Sequence, residues 1–166
     1  MLFKRDHLIS RNLLNKNELN LKSESIEFID EKAFQDLPSL ISIILETNII
    51  KSIESRIFRG SYNIRHIDFS SNLISFLDQK AFLGLSSLRT VNVSTNKLGY
   101  IPKQILTELK NLESLNFGNN QIKTIDVNIF KDTLKIKSIL FFNNHIRVIP
   151  TELFKGIFNI FFLIFI

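Results

Sequence analysis

One group of side chains in this sequence has the types of a nucleophilic catalytic triad. His66 stands two positions before Asp68, and Ser42 occupies the position equivalent to His66 in an earlier repeat of the chain. Residues two apart in a strand point to the same side, so His66 and Asp68 would lie on one face about 6–7 Å apart. That is far for an aspartate that must orient a catalytic histidine, and no oxyanion hole is evident. The pattern favours a polar surface, and we predict that the chain is not an enzyme.

Other chemistry has little support. The sequence contains no cysteine, which excludes disulfides, thiol catalysis and cysteine-based zinc sites. It contains no glycine-rich phosphate loop and no HExxH motif, so we expect no cofactor and no metal. Asn92-Val93-Ser94 matches the N-glycosylation motif. A glycan there would obstruct an exposed strand face, so we interpret this match as accidental.

Composition and charge narrow the class of protein. With 45% hydrophobic and 22% charged residues, the chain is not a disordered polar tail. The net charge of +5 comes from dispersed lysines and arginines, which is typical of a solvated surface. The first ten positions, MLFKRDHLIS, do not match a secretory leader, and no segment offers about 20 consecutive apolar residues, as a transmembrane helix would.

A 24-residue repeat organises nearly the whole chain. Around Asn72, for example, the apolar residues Ile67, Phe69, Ile74 and Leu77 form a frame that recurs without insertions or deletions. An earlier unit keeps the apolar positions but carries glutamate in place of asparagine. The recurring asparagines are Asn48, Asn72, Asn96, Asn120 and Asn144.

This frame predicts one short strand per repeat. Pairs such as Ile67 and Phe69 point to one side of a strand, and repetition in one direction produces a parallel sheet. A column of phenylalanines, with Leu106 as its one substitute, is expected to fill the far side of the coil. An asparagine side chain both donates and accepts hydrogen bonds, so we expect it to pair the backbone groups of the turn that follows each strand.

The consensus LxxLxLxxNxLxxLxxxxFxxLxx resembles the leucine-rich repeat family, in the 24-residue type common in animal extracellular and receptor proteins. The resemblance implies an α/β solenoid, a horseshoe with a parallel β-sheet on the concave face and a mostly irregular or short-helical convex side. We expect three regions: 1–15 as a degenerate N-terminal flank or crude cap, 16–159 as six 24-residue repeats, and 160–166 as the start of a seventh, truncated repeat.

In this family the concave strand positions that do not enter the core are free to contact a partner. Ser70, Ser94 and Gly118 belong to the same exposed columns, and Leu140 and Phe142 make one end apolar. The partner is expected to be another protein, because no aromatic platform alternates with a basic track as in nucleic-acid binding. The predicted partner-binding residues are Arg65, His66, Asp68, Arg89, Thr90, Asn92, Glu113, Asn116 and Lys137.

The resemblance implies a non-enzymatic protein–protein interaction module of an adhesion, matrix or receptor-type protein at the cell surface or outside the cell. Relatives of that kind carry a leader and cysteine-rich caps, and this chain shows neither. We therefore expect a piece of a longer repeat protein, with an intracellular scaffold or regulatory subunit in the cytoplasm as the alternative. Binding of anionic glycans is a remote third hypothesis, which depends only on the charge of +5.

Overall fold

A computed structural model describes residues 1–158 and 160–164 as a solenoid of stacked repeats. One short helix and eleven strands are formed in this part of the chain. In chain order they are β1 (Leu2–Phe3), α1 (Arg5–Ser10), β2 (Glu18–Asn20), β3 (Phe28–Ile29), β4 (Ser42–Ile44), β5 (Ser52–Ile53), β6 (His66–Asp68), β7 (Phe76–Leu77), β8 (Thr90–Asn92), β9 (Ser114–Asn116), β10 (Ser138–Leu140) and β11 (Phe162–Ile164).

A seven-stranded sheet runs along one side of the solenoid. Its order is β2–β4–β6–β8–β9–β10–β11, and every pairing is parallel. The register joins equivalent residues of consecutive repeats, so that His66 lies between Ser42 and Thr90. The opposite side is made of turns and contains no helix in the described residues. The predicted leucine-rich repeat solenoid, with its parallel sheet on one face, is confirmed.

The core is a stack of apolar columns. Ile67 and Phe69 point inward from the sheet side, while Ile74 and Leu77 enter from the flank that follows the asparagine turn, and all four are buried. Phe34 and Phe58 stack on the far side with ring centroids 5.8 Å apart. Because each repeat covers the apolar edge of its neighbour, stability comes mainly from stacking between repeats.

Residues 1–15 pack over the first repeat. Strand β1 pairs in parallel with β3, and Leu8 of α1 is fully buried. Phe3 is also fully buried and stacks on Phe34 with a centroid separation of 5.5 Å. Leu13 and Leu14 are partly buried against the core. The interpretation of residues 1–15 as a degenerate cap stays a prediction, and sequence reasoning had not found the contact of Phe3.

At the other end, β11 adds to the sheet in the same register. Ile139 pairs with Leu163, its equivalent in the following repeat. Strand β11 thus lies beside β10, where the sequence predicts the start of a seventh, truncated repeat, and that division of the chain stays a prediction. Asn159 and the predicted in-frame Phe165 lie outside the described residues, as does Ile166.

The repeating asparagines join consecutive turns through hydrogen bonds. The amide nitrogen of Asn96 donates to the carbonyl of Val93 in its own repeat and to that of Phe69 in the preceding repeat, at 3.1 and 3.0 Å. Its oxygen accepts the N–H of Ile74 at 2.9 Å. Equivalent bonds form at the other four positions. All the asparagines of this series are buried except Asn144, which is half-buried.

Glu24 takes the asparagine position in the first unit and behaves differently. Its N–H donates to the side chain of Asn48 at 3.0 Å, so the backbone still joins the series. Its carboxylate binds the guanidinium of Arg11 through two hydrogen bonds of 2.7 and 2.8 Å. At its N-terminal end the series of side chains therefore finishes with the ion pair between Glu24 and Arg11 of the N-terminal segment.

We expect Asn96→Ala to lower the free energy of unfolding by about 2–4 kcal/mol, because at least two buried backbone groups lose their partners. Urea unfolding followed by circular dichroism measures the effect. Asn144→Ala is the matched control: it removes the same kind of bonds at a turn that water reaches, so its cost should be less than half. Equal effects at the two positions would contradict the assignment of the cost to buried unpaired groups.

Candidate functional site

A row of charged residues crosses the concave face, which is the exposed side of the seven-stranded sheet. Arg65, Arg89, Glu113 and Lys137 each immediately precede a strand, at equivalent positions of four consecutive repeats. The N–H of each later member donates to the carbonyl of the one before it at 2.8 Å. The backbone ladder thus holds the four side chains beside one another, and we call them the charged row.

Three members of the charged row form a continuous set of ion pairs. The Glu113 carboxylate contacts Arg89 Nη1 and Lys137 Nζ, both at 2.7 Å. The hydrogen bond from Lys137, followed by the charges of Lys137 and Arg89, lowers the pKa of Glu113 from its ordinary value. Arg65 is exposed and forms no ion pair within the described residues. The row therefore offers one cation that is not neutralised from within this part of the chain.

The next row is made by the first residues of the strands. His66 is exposed, and its Nδ1 lies 2.9 Å from Thr90 Oγ1. Asp68 does not contact His66; its carboxylate accepts the N–H of Ser70 at 2.8 Å and a bond from Asn92 at 3.2 Å. No hydrogen bond in the described residues joins Ser42, His66 and Asp68, so they do not assemble as a triad.

Asp68, Asn92 and Asn116 belong to one column and serve the fold as well as the surface. Each is half-buried, and its side-chain oxygen accepts the N–H two residues later, where the strand ends. A short polar side chain at this position replaces the ladder partner that the turning backbone has lost. Of the predicted partner-binding residues, these three are therefore the least free to rearrange.

The predicted exposure of Ser70, Ser94 and Gly118 was wrong. Ser70 and Ser94 are buried where the chain bends inward, and Ser94 Oγ donates to Asn92 Oδ1 at 2.7 Å. Gly118 is covered by Phe142, whose ring would lie 2.5 Å from a Cβ at that position. The apolar end predicted around Leu140 and Phe142 is half-buried, and its aromatic member rests on a glycine instead of projecting to solvent.

Sequence reasoning missed a second surface on the flank that follows the asparagine turns. Exposed Phe76 and Tyr100 border an open cleft of about 740 Å³ there. Two signals could have revealed it. The column of residues 28, 52, 76, 100, 124 and 148 contains three aromatics, and Pro102 stands where the preceding repeats carry an acidic residue.

Neither a metal site nor a membrane-spanning helix is found in the part of the chain that the structure describes. No three histidine, aspartate or glutamate residues come together there as metal ligands would. The same part contains no helix that is long and apolar enough to span a bilayer.

Comparison with solved structures returns repeat proteins of the same architecture. The crystal structure of a TLR13–ssRNA13 complex matches 84% of this chain at 28% identity with a TM-score of 0.75. The Drosophila Toll–Spatzle complex matches 89% of this chain at 21% identity with a TM-score of 0.82. The LRIM1/APL1C complex matches 86% of this chain at 20% identity with a TM-score of 0.78. This chain spans 21%, 20% and 26% of the lengths of those three chains.

No curated protein sequence matches the chain. A family model, by contrast, matches most of it: the model described as a BspA type leucine rich repeat region covers residues 27–160 in six copies. The resemblance found in the repeat consensus is thus confirmed by both the family model and the fold. The chain belongs to the leucine-rich repeat family, with a repeat region of the BspA type.

Proposed function

We propose that this chain is a non-enzymatic protein-recognition module that binds another protein with its concave face. Its family is one of interaction modules, which supports the general role. The observation that carries the choice of surface is the charged row, since the core uses none of its side chains and the strand ladder fixes their spacing. Arg65, His66 and Arg89 are neighbours on this face, and all three are exposed.

The charge of the row favours an acidic patch on the partner. Three cations stand beside one carboxylate, and that carboxylate is already shared between Arg89 and Lys137. Complementary charge of this kind steers association and sets the register of an interface. Thr90, Asn92 and Asn116 lie beside the row and are expected to contribute hydrogen bonds at its edge.

We further propose that the module belongs to a receptor, adhesion or matrix-type protein. The support is the similarity to the TLR13, Toll and LRIM1 chains, each several times longer than this one. The TLR13 structure is a complex with an ssRNA, so RNA is the alternative ligand that an experiment must distinguish from a protein.

The ion pairs of the charged row can be tested in solution by measuring the pKa of Glu113. The pKa should lie below the ordinary glutamate range, and Lys137→Ala should raise it more than Arg89→Ala, because the Lys137 hydrogen bond is the largest cause. Because folding lowers the pKa of Glu113, its ionised carboxylate stabilises the fold at pH values above the ordinary glutamate pKa. That contribution is lost as the pH falls through the pKa of the folded state. Carboxyl NMR titration measures this, and an unshifted Glu113 would contradict the pairing.

The proposed surface is tested with a pair of charge-matched double variants. The immobilised protein is used to capture proteins from an extract of its source organism, treated or not with ribonuclease. The double variant Arg65→Glu and Arg89→Glu replaces two positive charges of the concave face with two negative charges. The double variant Lys32→Glu and Lys110→Glu makes the same charge change on the irregular side. Both arginines are exposed, so the circular dichroism spectrum should not change.

A protein partner should bind the wild type and the Lys32/Lys110 control, and should lose at least tenfold in affinity, about 1.4 kcal/mol, with the Arg65/Arg89 variant. Purified partner and purified variants then give the dissociation constants. Equal binding by both double variants would overturn the assignment to the concave face. Retention that disappears with ribonuclease would replace the protein partner with RNA.

A further inference from the structure

The flank carries a column of residues that the concave face does not use. We call it the flank column; it follows the asparagine turns and has one member in each repeat. Its aromatic members Phe28, Phe76 and Tyr100 are 47%, 41% and 51% exposed. The exposed face of an aromatic ring supplies a large apolar contact area for a ligand. The full column is Phe28, Ser52, Phe76, Tyr100, Thr124 and Val148.

At Phe28 the chain itself places a lysine on the ring. Lys51, which immediately precedes the next member of the column, has its Nζ 5.6 Å from the centroid of the Phe28 ring. The same Nζ lies 2.6 Å from the Glu27 carboxylate. An ammonium held between an aromatic face and a carboxylate is a recognised cation-binding arrangement. The chain thus contains one complete example of it within its own repeats.

At Phe76 the corresponding lysine is replaced by glycine. Gly99 immediately precedes Tyr100, as Lys51 precedes Ser52, and a Cβ built on Gly99 would meet no atom within 4 Å. Lys51 occupies the space above the Phe28 ring. Gly99 places no side chain in the corresponding space above the Phe76 ring.

Pro102 lies in the lining of the cleft beside Phe76. Strands β5 and β7 pair on the flank, and the N–H of Asp78 donates to the carbonyl of Ile53 at 2.9 Å. Pro102 is the residue that corresponds to Asp78 in the next repeat, and proline has no N–H to donate to Leu77. No strand pairs with β7 on the side of Pro102 in the described residues, and the cleft of about 740 Å³ opens there.

The cleft combines apolar walls with carboxylates. Phe76, Tyr100 and Pro102 line it, over the buried side chains of Leu77, Ile101 and Ile125. Asp78 and Asp126 also line it, each with one oxygen bound to a backbone N–H two residues later, at 2.7 and 2.9 Å. Lys103 lies 3.2 Å from Asp126, whereas Asp78 has no ion pair within the described residues. Lys103 also lines the cleft, so its charged lining residues are two carboxylates and one ammonium, with Asp78 as the carboxylate that is left without an ion pair in the described residues.

We propose that this cleft binds a lysine side chain from a protein partner. The ammonium lies over the Phe76 ring, as that of Lys51 lies over the Phe28 ring, and the methylene stem packs against Tyr100 and Ile101. The carboxylate is a different one: Ser75 stands at the position of Glu27, and Asp78, two residues after Phe76 in the same lining, pairs with the ammonium instead. The aromatic face and the apolar walls suit a lysine because its stem and its charged end need different surroundings. The site is independent of the charged row, so either can fail without the other.

The test uses two short peptides as probes, acetyl-AVKVA-amide and the same peptide with norleucine in place of lysine. Amide NMR spectra of the ¹⁵N-labelled protein report where each one binds. The lysine peptide should cause saturable shifts in residues 76–78, 99–104 and 124–126, with a dissociation constant in the millimolar range. The uncharged peptide should bind about fivefold more weakly, because it loses the ring and carboxylate contacts of the ammonium.

Gly99 supplies the decisive pair of variants. Gly99→Lys should place a lysine of this chain over Phe76 and weaken the lysine peptide about fivefold or more, in the way that Lys51 covers Phe28. Gly99→Gln adds a side chain of similar length without the charge and should weaken it much less. Asp78→Asn, which keeps the acceptor for Lys80 N–H, should also weaken the peptide without unfolding the turn.

Several results would overturn the proposal. They are equal binding of the lysine and norleucine peptides, equal effects of the lysine and glutamine variants at Gly99, shifts confined to the concave strands, or no saturable shift at millimolar peptide. The Arg65/Arg89 double variant should bind the lysine peptide as the wild type does. Its result therefore separates a failure of this site from a failure of the concave surface.

Discussion

The structure depends on the need to pair buried backbone groups where each strand turns into the core. The chain bends at a residue with positive φ just before each asparagine position, from Ser23 at 59° to Asn143 at 52°. The N–H of the bending residue still reaches the next repeat, as that of Thr95 reaches the Gly118 carbonyl at 2.8 Å, but other backbone groups of the turn need a side-chain partner. The asparagine that follows supplies one acceptor and two donors, and it divides them between its own turn and the preceding one. Because the amide must reach the same atoms in every repeat, the spacing between each strand and its asparagine is fixed.

A fixed period turns sequence separation into lateral contact. Equivalent residues of consecutive repeats lie side by side, as the ion pairs Lys22–Glu46, Glu27–Lys51 and Glu113–Lys137 show. The surface consequently consists of columns, and the column of a residue is given by its separation in sequence from the asparagine of its repeat. Columns that point inward hold mostly apolar residues, with exceptions such as the buried Ser61 and Thr133, whose hydroxyls bond to backbone groups. A column that points outward can change its chemistry from one repeat to the next without affecting the stacking.

The fold could be predicted from the sequence because the same asparagine and apolar frame recurs five times at one spacing. The sequence was insufficient where a residue serves two purposes. Asp68, Asn92 and Asn116 have the composition of a binding column, yet each accepts a strand-end N–H, which only the backbone geometry shows. The burial of Ser70, Ser94 and Gly118 follows from the inward bend of the same segment. The part played by Phe3 was missed because it lies outside the repeat frame.

The flank shows how such an array can acquire a local site without losing its core. Gly99 and Pro102 stand where other repeats carry charged side chains, as at Lys51 and Asp78, and the proline also removes one backbone donor. The buried neighbours Leu98 and Ile101 keep their places, and the turn of Asn96 keeps its hydrogen bonds. Departures from the consensus at exposed columns therefore carry more functional information than the consensus itself, since the consensus residues are already committed to pairing and packing.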